Sequence, residues 1–156
     1  MNTIELFFEA IRNKNQVAVV SMLTHNPELV NTKDGRGFTP LIFATYFDNE
    51  AAAKTLIEHH AELDAKDSTG NTALIGVCFK GNEKLATLLI DNGANINATN
   101  TMGTTPLIFA TMYNKEAVIK LLLDRGADKS LKDNEGKSAY DHALDKQFKN
   151  LLELLK

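Results

Sequence analysis

The stretch TPLI occupies residues 39–42 and returns at 105–108, with TALI at 72–75 midway between, so the chain restates itself every 33 residues. No other feature constrains folding as strongly, because a unit of this size cannot bury its own apolar face and must stack on its neighbours. A shift of 33 aligns Thr39, Thr72, Thr105 and Ser138. It also aligns Gly37, Gly70, Gly103 and Gly136, and, three residues before those, Asp34, Asp67, Asn100 and Asp133. Leu56, Leu89, Leu122 and Leu155 follow the same spacing, which reaches back to Leu23.

Each unit reads as two helices and a turn-rich connection. Thr39 is a helix N-cap whose hydroxyl satisfies orphan amides, and Pro40 stands at the first helical position, where no amide proton is needed. The first helix breaks near Asp48, Gly81 and Asn114, residue types that tolerate a left-handed backbone. A second helix opens with Glu50, Glu83 and Glu116, placing acid at the positive end of the helix dipole. Its apolar stripe is Leu85, Leu88 and Leu89 in one unit and Val118, Leu121 and Leu122 in the next. Gly93 and Gly126 stop it, and a polar stretch such as ANINATNTMG suits an extended hairpin leading to the next Thr cap.

These units resemble the ankyrin repeat family, whose unit carries a G-x-T-P-L-H-x-A core; here it is written GFTPLIFA, GNTALIGV and GTTPLIFA. The resemblance covers residues 2–156. It departs from the family at Ile42, Ile75 and Ile108, which replace a histidine and exchange its hydrogen bonds between neighbouring loops for apolar packing. The fold expected is an all-α repeat solenoid of helix-turn-helix units with short hairpin loops, forming one domain over residues 1–156. Three central repeats, 32–64, 65–97 and 98–130, lie between an N-terminal capping repeat, 1–31, and a C-terminal one, 131–156. Capping chemistry is read from Asp141, which stands where other units have Ile, from Lys129 in place of Leu63 and Ile96, and from Glu9 at the place of Ile42.

Composition excludes several functions. The net charge of -3 is made of 17 basic and 20 acidic residues, and no two Lys or Arg are adjacent, so no basic footprint for nucleic acid or an anionic membrane exists. The N-terminus MNTIELFFEAIRNKNQ lacks a basic region before an apolar core, and no apolar run reaches the roughly 18 residues of a membrane span. One cysteine, Cys78, permits no internal disulfide, and a reducing cytoplasm is the expected compartment.

Candidate catalytic chemistry is sparse. His25 and His142 lie in opposite capping units, and the adjacent His59 and His60 point apart rather than forming the i, i+4 pair of a zinc site. His60 occupies the place of Gly93 and Gly126, a strained helix C-cap. Cys78 aligns with Thr45 and Thr111 on the first helix and reads as a packed thiol, with a nucleophile as the weaker alternative. The recurrent glycines are structural, so neither a phosphate loop nor any cofactor is implied.

The resemblance implies instead an extended surface built from hairpin tips and the inner face of the first helices. Carried over residue by residue, the helix positions are Tyr46 and Phe47, Phe79 and Lys80, and Met112 and Tyr113. The hairpin positions are Arg36, Phe38, Thr69, Asn71, Met102 and Thr104. Aromatics, Met and Arg are enriched at protein interfaces, which favours a groove for a partner protein; Phe47 and Phe79 alternatively fill gaps between repeats. The expectation is a non-enzymatic scaffold, monomeric when unbound, that binds a protein. The alternative is a regulatory, accessory or inhibitory subunit of an enzyme, or a bacterial effector acting on a host protein.

Overall fold

The computed structural model describes residues 1–156 as ten α-helices with no extended strands. They are α1 (Thr3–Arg12), α2 (Gln16–His25), α3 (Pro40–Tyr46), α4 (Glu50–Glu58), α5 (Ala73–Lys80), α6 (Glu83–Asp91), α7 (Pro106–Met112), α8 (Glu116–Asp124), α9 (Ala139–Asp145) and α10 (Lys149–Leu155). A short 3-10 turn at Pro27–Asn31 follows α2. The odd-numbered helices α1, α3, α5, α7 and α9 pack in series, and each packs on the even-numbered helix that follows it. One continuous apolar core runs from Phe7 to Leu155. No helix is long and apolar enough to cross a membrane.

Local chemistry explains the elements. The hydroxyls of Thr39, Thr72, Thr105 and Ser138 accept from the amides of Ile42, Ile75, Ile108 and Asp141, and Asp141 returns a bond to the Ser138 amide as a capping box. The helix-helix turns pass through Asp48, Gly81 and Asn114 at φ 54, 75 and 52, the left-handed region. Ile42, Ile75 and Ile108 are buried, so the positions that depart from the family's histidine do pack as apolar residues.

The second, third and fourth hairpins are tied to one another by backbone and side-chain bonds. Each turn Asp or Asn, at 34, 67, 100 and 133, accepts through Oδ1 from the amides two and four residues on. The Thr101 amide donates to the Thr69 carbonyl at 3.2 Å, the Asn134 amide to the Met102 carbonyl at 3.0 Å, and Asn100 Nδ2 to Asn71 Oδ1 at 2.9 Å. Glycine is required where these backbones meet: Gly70 has φ 81, and a Cβ there would lie 2.8 Å from the Thr101 nitrogen.

The N-terminal unit departs from the expected alignment. Across α1 the repeat is shifted by 34: Lys14 (φ 56) takes the place of Asp48, and Phe7, Phe8, Ala10 and Ile11 are buried as Leu41, Ile42, Ala44 and Thr45 are. Phe8 rather than Glu9 therefore stands at the place of Ile42. The extra residue of α2, ten against nine in α4, restores the spacing at Leu23. This end is also less polar than a cap requires, with Ile4, Leu6, Val17 and Val20 exposed. In α2 the run VAVV carries apolar residues on more than one helix face, and of that helix only Val19 and Leu23 are fully buried. At the other end Lys129 is exposed and Asp141 is consumed by the capping box.

Candidate functional site

The odd-numbered helices end in a row of side chains beside the hairpins. Tyr46, Phe79 and Tyr113 project from the ends of α3, α5 and α7 and are 54%, 44% and 45% exposed, and Met102 is exposed on a hairpin. Phe38 is half-buried and stacks on Tyr46 with ring centroids 6.5 Å apart. These residues share one face of the stack.

Ring contacts fall into two groups along that face. Phe8, Phe38, Phe43, Tyr46 and Phe47 form the first, with Phe8–Phe43 at 5.0 Å and Phe43–Phe47 at 4.7 Å. Phe79, Phe109 and Tyr113 form the second, where Phe79 meets Tyr113 edge-on at 4.6 Å. Between them lies a cleft of about 270 Å³, walled by Phe38, Tyr46, Phe79, Phe109 and Tyr113 and floored by Ile42, Thr45 and Gly76. Asp67 and Asn71 stand on its hairpin side.

The cleft has a sequence cause. Positions 43, 76, 109 and 142 are equivalent, and they read Phe, Gly, Phe and His. A Cβ on Gly76 would meet nothing within 4 Å, and its backbone lies within helix α5 and outside the left-handed region. Glycine in a helix interior costs about 1 kcal/mol relative to alanine. No backbone requirement offsets that cost here; its structural effect is an open space where the neighbouring repeats hold a phenyl ring.

Not every residue carried over from the sequence lies open on this face. Thr104 is buried at 6% exposure, which removes it from any contact surface. Phe47 and Met112 are half-buried and pack against the core. Phe79 is open. Lys80 is held in place: its Nζ donates to Asp48 Oδ2 at 3.1 Å and to the Tyr46 carbonyl, and lies 5.0 Å from the Tyr46 ring centre. Arg36 donates to Asp34 Oδ2 at 2.9 Å while its guanidinium lies 4.6 Å from the Phe38 ring centre. Thr69 donates through its hydroxyl to Asp67 Oδ1 at 2.7 Å, and Asn71 accepts from Asn100. Ile42, Asp67, Gly76 and Phe109 line the cleft yet were absent from the residues carried over. Gly76 and Phe109 belong to the broken Phe, Gly, Phe series, which is the signal for them; Ile42 and Asp67 carry no such mark in the sequence.

Electrostatics on this face is local. Burial pushes the Asp34 carboxyl up, but the Arg36 side chain and the amides of Phe38 and Arg36 more than offset it, holding it below the usual carboxylate range. Asp133 behaves alike: burial raises it, and the hydrogen bond with His142 Nε2 at 2.7 Å, with two backbone amides, brings it below normal. Nothing on the face resembles catalytic machinery. Cys78 is wholly buried, and burial alone pushes its thiol far up, so a reactive thiolate does not form in the folded chain. No group of three or more His, Cys, Asp or Glu is arranged to hold a metal ion.

The chain matches the family model described as ankyrin repeats (3 copies), over residues 7–100 and again over 77–156. No curated protein matches it. Ankyrin repeats are generally protein-protein interaction modules and typically non-enzymatic.

Proposed function

We propose, from the premise that the chain belongs to the ankyrin repeat family, that it is a non-enzymatic scaffold which binds one partner protein through the face shared by α3, α5, α7 and their hairpins. The observation that carries this reading is the exposure of Tyr46, Phe79 and Tyr113 at the ends of three successive odd-numbered helices, around an apolar cleft. Large aromatic rings left in water in one row have lost burial that a partner would restore, whereas an idle surface has no use for them. Affinity comes from these rings; orientation comes from polar hairpin groups such as Asn71 and Thr69. The stack binds by rigid presentation, since the second hairpin is bonded to the third and the third to the fourth. The compartment that suits a lone buried thiol is a reducing cytoplasm.

The test is a pull-down from the native cell with the wild-type chain beside a Tyr46→Ala/Tyr113→Ala variant. A stoichiometric partner retained by the first and released by the second is the expected result, with an affinity loss of about 2 kcal/mol or more. A partner held equally by both would overturn the reading.

A further inference from the structure

The turn aspartates of the stack are not equivalent in what meets their outer oxygen. In the first hairpin, Asp34 Oδ2 receives Arg36 at 2.9 Å, and that guanidinium lies over the rings of Phe38 and Phe43 at 4.6 and 5.7 Å. In the last, Asp133 Oδ2 faces His142 at 2.7 Å. In the third, the residue is the neutral Asn100, whose amide is spent on Asn71. The second hairpin has neither solution: Thr69 stands at the place of Arg36 and Gly76 at the place of His142. Asp67 Oδ1 is filled by the Thr69 hydroxyl and the amides of Thr69 and Asn71, while its Oδ2 has no partner.

Asp67, which carries that free oxygen, borders the aromatic cleft. The neighbouring cations do not neutralise it, because Arg36 is paired with Asp34 and Lys80 with Asp48. The cleft thus combines apolar walls, exposed ring faces and one uncompensated negative charge, at about 270 Å³. A cation on an apolar stem satisfies all three, since ring faces attract cations and a carboxylate accepts a guanidinium. The volume lies just below the usual range for small-molecule sites, roughly 300 Å³ upward, and suits a single side chain.

We propose that the cleft over Gly76 is a recognition pocket for one basic side chain of the partner, an arginine by the precedent of Arg36, whose guanidinium bonds Asp67 Oδ2 between Tyr46 and the Phe79–Tyr113 pair. The stack supplies its own partner for the outer aspartate oxygen at both ends and takes one from the bound protein in the middle. This rests on the reading of this face as a partner-binding surface, and it names the partner's anchor.

A random-peptide display library selected on the immobilised full chain, with counterselection on Gly76→Phe, isolates sequences that need the pocket. Gly76→Phe places there the ring that α3 and α7 already carry, so the fold tolerates it. The expected result is a shared arginine or lysine in the enriched peptides. Replacing it with citrulline or norleucine then costs about tenfold or more in Kd. Asp67→Asn lowers affinity by a similar factor without disturbing the turn, because Asn100 accepts the same amides. Thr69→Arg, which recreates the Asp34–Arg36 arrangement, also closes the pocket. Enrichment of peptides with an apolar anchor and no dependence on Asp67 would overturn the proposal, as would failure to recover any peptide that Gly76→Phe rejects. Either failure leaves the tyrosine pull-down intact as a separate test of the face itself, and loss of the tyrosine effect leaves these peptides readable.

Discussion

His60 is the sharpest place to test whether this stack is strained where its sequence departs from its own pattern. It stands at φ 67, in the position where Gly93 and Gly126 have φ 100 and 88. All three close the same motif: the residue's amide bonds the carbonyl three back, and the following alanine's amide bonds that of Leu56, Leu89 or Leu122. The conformation is therefore imposed by the helix ending and not by the histidine, whose side chain is exposed and makes no hydrogen bond. A residue with a Cβ pays about 1–2 kcal/mol in this region, and glycine returns about 0.5–1 kcal/mol through greater freedom in the unfolded chain. His60→Gly should accordingly stabilise the protein by about 0.5–1 kcal/mol. With a urea slope of about 2–3 kcal/mol/M, the midpoint rises by about 0.2–0.5 M. The control is Gly126→Val, where a Cβ meets nothing within 4 Å, so its cost of about 1–2 kcal/mol is conformational only. Circular dichroism melts of the two variants beside wild type read both signs. An unchanged or lowered midpoint for His60→Gly would refute the account.

Four further outcomes follow from the same structure. Leu89→Ala removes a side chain with no exposure from the centre of the stack and should cost about 2–5 kcal/mol, whereas Tyr46→Ala/Tyr113→Ala should leave the urea midpoint almost unchanged; equal losses would make the rings packing residues. Gly70→Ala should destabilise more than Gly126→Ala, because its Cβ also meets the Thr101 backbone at 2.8 Å; equal melting shifts would remove the close approach as a cause. Cys78 should stay unmodified by a thiol reagent in native buffer and react fully in denaturant, and rapid native labelling would show that α5 opens. Finally, Asp34, Asp48 and Asp133 have folded pKa values below their unfolded values near 3.9, so their ionised forms contribute stability that is full above about pH 4 and lost as pH falls through the depressed folded values. Denaturant midpoints across acid pH should show that fall, and Asp133→Asn should flatten it; a pH-independent midpoint below pH 4 would contradict the bonding seen in the hairpins.

Much of the fold was legible because its causes are local. A threonine before a proline caps and starts a helix wherever it occurs, and Asp48, Gly81 and Asn114 sit at left-handed turns because a helix-helix connection of that length needs one. The register slips at α1 for an equally local reason: the one extra residue of α2 displaces everything before it by one, leaving Leu23 in register and Glu9 out of it. The site was legible as a set of positions but not as a set of exposures. Thr104 and Tyr113 look alike as offsets within a repeat; one is buried beside a helix cap and the other lies open on a ring neighbour.

The sequence by itself determined the period, the caps, the left-handed turns and the apolar stripes, because each depends on neighbours within a few residues along the chain. Only the tertiary structure decided which of these residues meet. Gly76 is silent as a helical glycine until the neighbouring repeats are stacked on either side of it, and the rings of Phe38, Tyr46, Phe79, Phe109 and Tyr113 enclose the space it leaves. Asp67 likewise reads as one more turn aspartate until the lack of any partner for its Oδ2 at 69 or 76 is set beside Arg36 and His142. Burial and charge compensation belong to the assembled stack, since whether a ring is covered or a carboxylate satisfied depends on atoms that the fold alone brings within a few ångströms.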